Sequence, residues 1–295
     1  MSSAISQEKG RSIKRVFVTG APRSGTSWLG EILAKCARAK YVYEPFNAHW
    51  NPKLNKHLLH FQYASSSTAV SEDVAEVAAR AFEGKQSANQ VMRAIYRGYW
   101  NTLGSSKSLV LVKDPTAVLM TDWISHRTHA DVLIIVRHPC GFASSISALD
   151  WNLNVDHLRV QENLMQDFLG PYEDLLIRAR NDPWLTLGAY WSAIHVVLFE
   201  QLQTNRDWQV CKYEEMCRDP LGQFSIISEK LGFNVPRGNW NMLEKSTTTQ
   251  HYSRDPGSTR RESARMPDKW RKMLSPHQID AVEGMVREFG LEKHL

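Results

Sequence analysis

Short apolar runs, each followed by a turn and then by a segment with helical spacing, recur along this chain. Val16-Phe-Val-Thr19, Tyr41-Val-Tyr43, Leu109-Val-Leu-Val112, Val132-Leu-Ile-Ile-Val136 and Trp208-Gln-Val-Cys211 read as strands. The third and fourth are apolar throughout, as a parallel strand covered on both faces requires. Helical spacing follows in Ser27 to Ala37, where Trp28, Leu29, Ile32 and Leu33 share a face. It returns from Ser71, with Val74, Val77, Ala78 and Ala81 on one face and acids in the first turn. Further helices are predicted over Cys140 to Ala148, over 155–169 and over 184–203. A last one starts at Ser275-Pro276 and stops at Gly290. Strands alternating with helices predict an α/β fold built on a doubly wound parallel sheet flanked by helices.

The stretch 47–108 is more polar and reads as a large insertion with its own helix. No Pro/Gly/Ser-rich linker divides the 295 residues, so one domain over 15–295 is expected, preceded by a flexible segment, 1–14. With 42% hydrophobic and 23% charged residues, the chain buries a real core, which excludes a disordered or rod-like protein. No apolar run approaches the roughly 18 residues of a membrane span, and the polar start does not read as a secretory signal. Cys36, Cys140, Cys211 and Cys217 lack the C-x-x-C spacing of zinc or disulfide scaffolds, so a cytoplasmic protein is expected. A net charge of +5 suits an anionic ligand, though a solvated mixed-charge surface has the same composition.

In such sheets, ligands bind beyond the carboxyl ends of the strands. The segment after the first run is Gly20-Ala-Pro-Arg-Ser-Gly25-Thr26-Ser27, between strand and helix. Glycines there turn backbone N–H groups toward one point. The helix N-terminus adds partial positive charge worth about 0.3–2 kcal/mol, so the loop suits a phosphate. The spacing is that of a P-loop, but Thr26 stands where the lysine for a triphosphate belongs, and Arg23 supplies a cation elsewhere. A second anion site is suggested by Arg137, at the end of the fourth run, with Ser145 in the following helix. An arginine binds phosphate in a bidentate, charge-assisted way.

Pro22-Arg-Ser-Gly-Thr-Ser-Trp-Leu29 resembles the 5′-phosphosulfate loop of sulfotransferases, and Arg137 with Ser145 resembles their 3′-phosphate pair. Softer matches are Tyr213-Glu-Glu-Met, Trp191 and Lys269-Trp270-Arg271, so the resemblance spans 16 to 290. It implies a P-loop-like fold, a single domain with helical insertions. It also implies 3′-phosphoadenosine 5′-phosphosulfate (PAPS) as co-substrate without a metal requirement, held by Arg23, Ser24, Gly25, Thr26, Ser27, Trp28, Arg137 and Ser145. A basic loop near the C-terminus closes over the 3′-phosphate in the family; Arg260, Arg261 and Arg265 are the candidates here. A loop arginine is more like carbohydrate-type and bacterial members. The implied acceptor is a hydroxyl on a carbohydrate, glycolipid or small alcohol.

The family's Lys-Thr-His-x-Pro segment, which carries a catalytic histidine, is replaced by Lys113-Asp114-Pro115. Sulfuryl transfer to a hydroxyl needs a proton acceptor. Glu44, Asp114 and His138 follow strands on the expected active edge, and Glu44, in a Glu-Pro segment like that of carbohydrate-type members, is the first choice. The alternative for Glu44 is an ion pair with Arg23; Lys113 is a ready partner for Asp114; His138 also suits a backbone-bonded structural role. Arg23 is the candidate for stabilising charge on the leaving oxygen. Asp114 also reads as a Walker-B-like acid, which keeps a nucleotide kinase or NTPase open. The basic stretch 254–271 keeps a nucleic-acid-binding protein open, although the stacking aromatics expected there are sparse. Nothing in the chain indicates an oligomeric state.

Overall fold

The computed structural model describes residues 13–59, 61–88, 90–92, 108–233, 235, 239 and 266–295. Residues 1–12 of the expected N-terminal segment lie outside these, as do Arg260, Arg261 and Arg265. Five parallel strands form one sheet: β1 (Lys14–Thr19), β2 (Lys40–Tyr43), β3 (Leu109–Lys113), β4 (Asp131–Val136) and β5 (Gln209–Lys212), in the order β2-β3-β1-β4-β5. This is the doubly wound α/β architecture that the apolar runs predict.

Alternation along each strand divides the core. Val16, Val18, Leu111, Leu133 and Ile135 face α1 (Thr26–Cys36), whose Leu29 and Leu33 are fully buried with them. Phe17, Val42, Val110 and Val112 face the other way, against α2 (Glu72–Phe82) and α3 (Thr121–Thr128). Val132, Ile134 and Val136 pack toward α4 (Pro139–Ser147). Behind them, α5 (Glu173–Ala179) leads into the long α6 (Pro183–Thr204). Asp182 caps α6 by accepting from the N–H groups of Trp184 and Leu185, with Pro183 at the first helical position. α7 (Tyr213–Arg218) and α8 (Pro220–Lys230) follow β5, and α9 (Pro276–Glu288) closes the chain against α6. Their contact is close at Gly188, where a Cβ would lie 2.9 Å from the Val282 carbonyl oxygen.

The helix expected over 155–169 is interrupted at 160–161: one short helix spans Asp156–Arg159, and a second starts at Glu162–Leu164 and continues into a π-helical stretch at Met165–Leu169. The buried Gln161 side chain explains the break. It accepts from Tyr63 N–H at 2.7 Å and donates to the carbonyls of Phe61 and His157, which ties this segment to the 61–64 loop of the insertion. Val160, apolar in the sequence pattern, is 62% exposed.

Candidate active site

The loop after β1 is shaped by two close approaches. At Gly20 (φ 147°) a Cβ would sit 2.2 Å from the Ile135 carbonyl oxygen on β4, and at Gly25 (φ 99°) it would sit 2.7 Å from the Tyr213 ring. No other residue type fits either place. Arg23 itself is left-handed (φ 64°), and Ser24 N–H closes the turn on the Ala21 carbonyl at 3.1 Å. α1 then starts from Gly25 with no side-chain cap, so the first-turn N–H groups of Thr26 and Ser27 carry no intrahelical or capping partner. Ser24 Oγ is buried and unbonded in the same loop. Trp28 meets Tyr213 and Phe224 edge-on, at 6.3 and 5.7 Å between ring centres.

Arg137 and Ser145 are brought to this loop. Arg23 Nε donates to Ser145 Oγ at 3.1 Å, and Arg137 Nη1 donates to the Arg23 carbonyl at 2.7 Å. The Arg137 guanidinium lies over the Tyr213 ring, 4.6 Å from its centre, and Arg137 Nε is buried without a partner. Trp191, in the middle of α6, fixes the strand end by donating its indole N–H to the Arg137 carbonyl at 2.9 Å. Unpaired donors therefore lie beyond the ends of β1 and β4 and at the start of α1, the positions from which a sheet of this kind holds an anion.

Glu44 is buried at the end of β2 with left-handed backbone (φ 45°). Its Oε1 accepts from Lys113 Nζ at 2.6 Å and its Oε2 from Asn47 Nδ2 at 2.8 Å. Burial alone would push its pKa up. The Lys113 charge and the hydrogen bonds outweigh that, and hold the carboxyl below the usual glutamate range. Lys113 is fully buried; its stem passes beside Gly30 of α1 and its ammonium lies 3.9 Å above the Tyr43 ring. The ion pair thus joins Lys113 to Glu44, not to Asp114. Successive residues of a strand point to opposite faces, which turns Asp114 away from its neighbour. Sequence reading passed over this role of Lys113; a lone lysine closing an otherwise apolar strand was the available signal.

Asp114 is also fully buried. It accepts from Phe46 N–H at 2.7 Å, Thr116 N–H at 2.9 Å and the Thr116 hydroxyl at 2.6 Å. Burial, then the Glu44 charge, raise its pKa to about 7. The local Thr116 turn holds one oxygen and the distant Phe46 N–H the other, so the carboxylate is committed to protein donors and not displayed for a Walker-B-like role. His138 caps α4: its Nδ1 accepts from Cys140 N–H at 3.2 Å, and its ring stacks on Trp270, 4.7 Å between centres at 11°. Burial, then Arg271, with Arg137 adding to them against Asp268, push its pKa down to about 4. A neutral imidazole whose acceptor nitrogen is occupied has no lone pair left for a substrate proton.

The sequence profile of the sulfotransferase family matches residues 15–237. The chain belongs to the sulfotransferase family. In this sulfotransferase the matched span contains the glycine loop, Glu44, Lys113, Asp114, Arg137 and Ser145. No curated protein matches the chain in sequence. Among solved structures, the sulfotransferase domain from the curacin biosynthetic pathway is 14% identical at a TM-score of 0.51, covering 95% of this chain and 98% of that domain. Mouse sulfotransferase SULT7A1 complexed with PAP is 15% identical at 0.48, covering 93% and 84%. The sulfotransferase domain of the Synechococcus PCC 7002 olefin synthase is 17% identical at 0.46, covering 96% and 98%. The fold is shared with the first of these. Among the described residues, no helix is long and apolar enough to cross a membrane, and no three His, Cys, Asp or Glu side chains cluster as metal ligands would.

Proposed function

We propose that this sulfotransferase moves a sulfuryl group from PAPS to a hydroxyl on a carbohydrate or glycoconjugate. The observation that carries the proposal is the Arg23–Ser145 bond with Arg137 on the Arg23 carbonyl, which joins two anion-binding regions into one cradle with donors to spare. PAPS, when bound, supplies a sulfuryl group on a phosphate leaving group and, at its other end, a second phosphate. The unbonded Ser24 hydroxyl and the uncapped N–H groups of Thr26 and Ser27 fit the phosphosulfate end. Arg137 and Ser145 fit the 3′-phosphate, and Trp28 flanks the nucleoside.

The chain's own residues then divide the work. Arg23 donates where negative charge grows as the sulfuryl group departs, so its contact strengthens during the reaction. Glu44 accepts the hydroxyl proton, kept ionised and ready by Lys113. The Glu-Pro segment at 44–45, which resembles that of carbohydrate-type members, supports the acceptor class. Arg260 and Arg261 are proposed to close over the 3′-phosphate. The test is mass spectrometry of a panel of oligosaccharides, glycolipids and small alcohols incubated with enzyme and PAPS. A product heavier by one SO3 group on a sugar hydroxyl is expected. Transfer only to non-carbohydrate acceptors would overturn the acceptor class, and no transfer to any would overturn the reaction.

A further inference from the structure

Asp114 follows β3, wholly buried, and takes no part in the cradle around Arg23 and Arg137. Its bond from Phe46 N–H spans 68 sequence positions to the turn that carries Glu44. In that turn Glu44 holds a left-handed backbone, which a non-glycine residue keeps only where its surroundings enforce it. Two bonds bracket it. Glu44 N–H donates to the Lys113 carbonyl at 2.7 Å, and two residues later Phe46 N–H donates to the Asp114 carboxylate at 2.7 Å. Thr116 fixes the other carboxylate oxygen through its N–H and its hydroxyl, so the anchor cannot swing.

We infer that Asp114 is a positioning residue that clamps the Glu44–Phe46 turn to the end of β3, so that the Glu44 carboxylate meets the acceptor hydroxyl in a fixed direction. The inference rests on the sulfuryl-transfer reading, since it gives Asp114 a part in the step that Glu44 performs. Asp114 acts through Phe46 and by charge, without touching substrate. Among the described residues, the charged groups facing it are Glu44 and Lys113. A proton on Asp114 weakens the clamp, because the Phe46 and Thr116 N–H groups can only donate to it. It also removes a negative charge that makes Glu44 more basic. Burial places that protonation at about pH 7, so turnover rises with pH through a limb there.

The test compares wild type with Asp114→Asn and Asp114→Glu for kcat, acceptor KM, affinity for 3′,5′-adenosine bisphosphate, and hydrogen exchange at the Phe46 amide. Asp114→Asn is expected to lower kcat by up to about 10²-fold, the effect of an ångström-scale misplacement. KM and bisphosphate affinity stay within about twofold, a split that marks loss of a transition-state interaction. The limb near pH 7 disappears and the Phe46 amide exchanges faster. Asp114→Glu keeps the charge and retains the limb while losing kcat. The inference is overturned if Asp114→Asn keeps wild-type kcat and Phe46 protection, or if kcat and bisphosphate affinity fall together. Exchange needs no turnover. A protein whose Phe46 protection depends on Asp114, yet which sulfates nothing, would contradict the reaction and leave the clamp standing.

Discussion

Around Arg23, Ser24 Oγ and Arg137 Nε are buried without partners and the first turn of α1 is uncapped. Around Glu44, every carboxylate oxygen of Glu44 and Asp114 already holds a donor. The first region is open: Ser24 Oγ, Arg137 Nε and the first-turn N–H groups of α1 are left for something that binds. The second is closed: Lys113 and Asn47 satisfy Glu44, and Phe46 and Thr116 satisfy Asp114, out of water. Changes in the open region should therefore appear in affinity, and at Arg23 in turnover as well, with little effect on the empty fold. Changes in the closed region should appear in turnover and stability, because removing one member strands a buried charge.

The largest effect is expected at Glu44. Glu44→Gln should reduce turnover by about 10²–10⁴-fold, the range for a lost general base, while bisphosphate affinity stays near wild type. Steady-state kinetics with a calorimetric titration checks both halves, and a loss of affinity of similar size would erase the division between the regions. Lys113→Met is next. It should destabilise the fold by about 3–5 kcal/mol, as breaking a buried ion pair does, measured by denaturant unfolding. The sign with pH follows from Glu44. Its lowered pKa contributes stability that is present above the usual glutamate value and lost as pH falls through the folded one. Without Lys113 its charge and hydrogen bond are lost and burial is opposed only by the hydrogen bonds of Asn47 and Tyr43, so the Glu44 pKa rises and the deficit of the variant should grow as pH rises. A deficit independent of pH would mean that Lys113 acts by packing alone. The smallest effect belongs to His138→Ala, about 1 kcal/mol for a lost helix cap, with turnover nearly unchanged. A large loss of turnover there would return His138 to the proton step.

The strand runs were legible because both faces of the sheet are covered. Val132–Val136 and Leu109–Val112 have no polar position to misread, and β4 and β3 differ from those runs by one residue each. The final helix was equally plain: Ser275 and Gln278 form a reciprocal cap and Gly290 follows at φ 70°. The glycine loop showed itself through spacing that only close backbone approach demands. The segment 155–169 did not, because its conformation is set by Gln161 bonding to residues about 100 positions earlier, a tertiary effect outside any local pattern. The closed triad was half legible. Its three members stood in view as residues after or inside strands, but their pairing follows from the β2–β3 register, which places Tyr43 beside Lys113 and so Glu44 within reach of its ammonium.

On the proposed function, the open region holds a nucleotide with two separated phosphates. The direct test is a thermal-shift and calorimetric titration of wild type and Arg137→Ala with 3′,5′-adenosine bisphosphate and with magnesium–ATP, repeated under chelator. The bisphosphate should raise Tm well above the shift from magnesium–ATP, by mass action on the folded state. Chelator should leave that gap intact, and Arg137→Ala should weaken bisphosphate binding by about 10- to 100-fold, the worth of one or two charge-assisted bonds. Equal stabilisation by magnesium–ATP, lost with chelator and insensitive to Arg137, would contradict it.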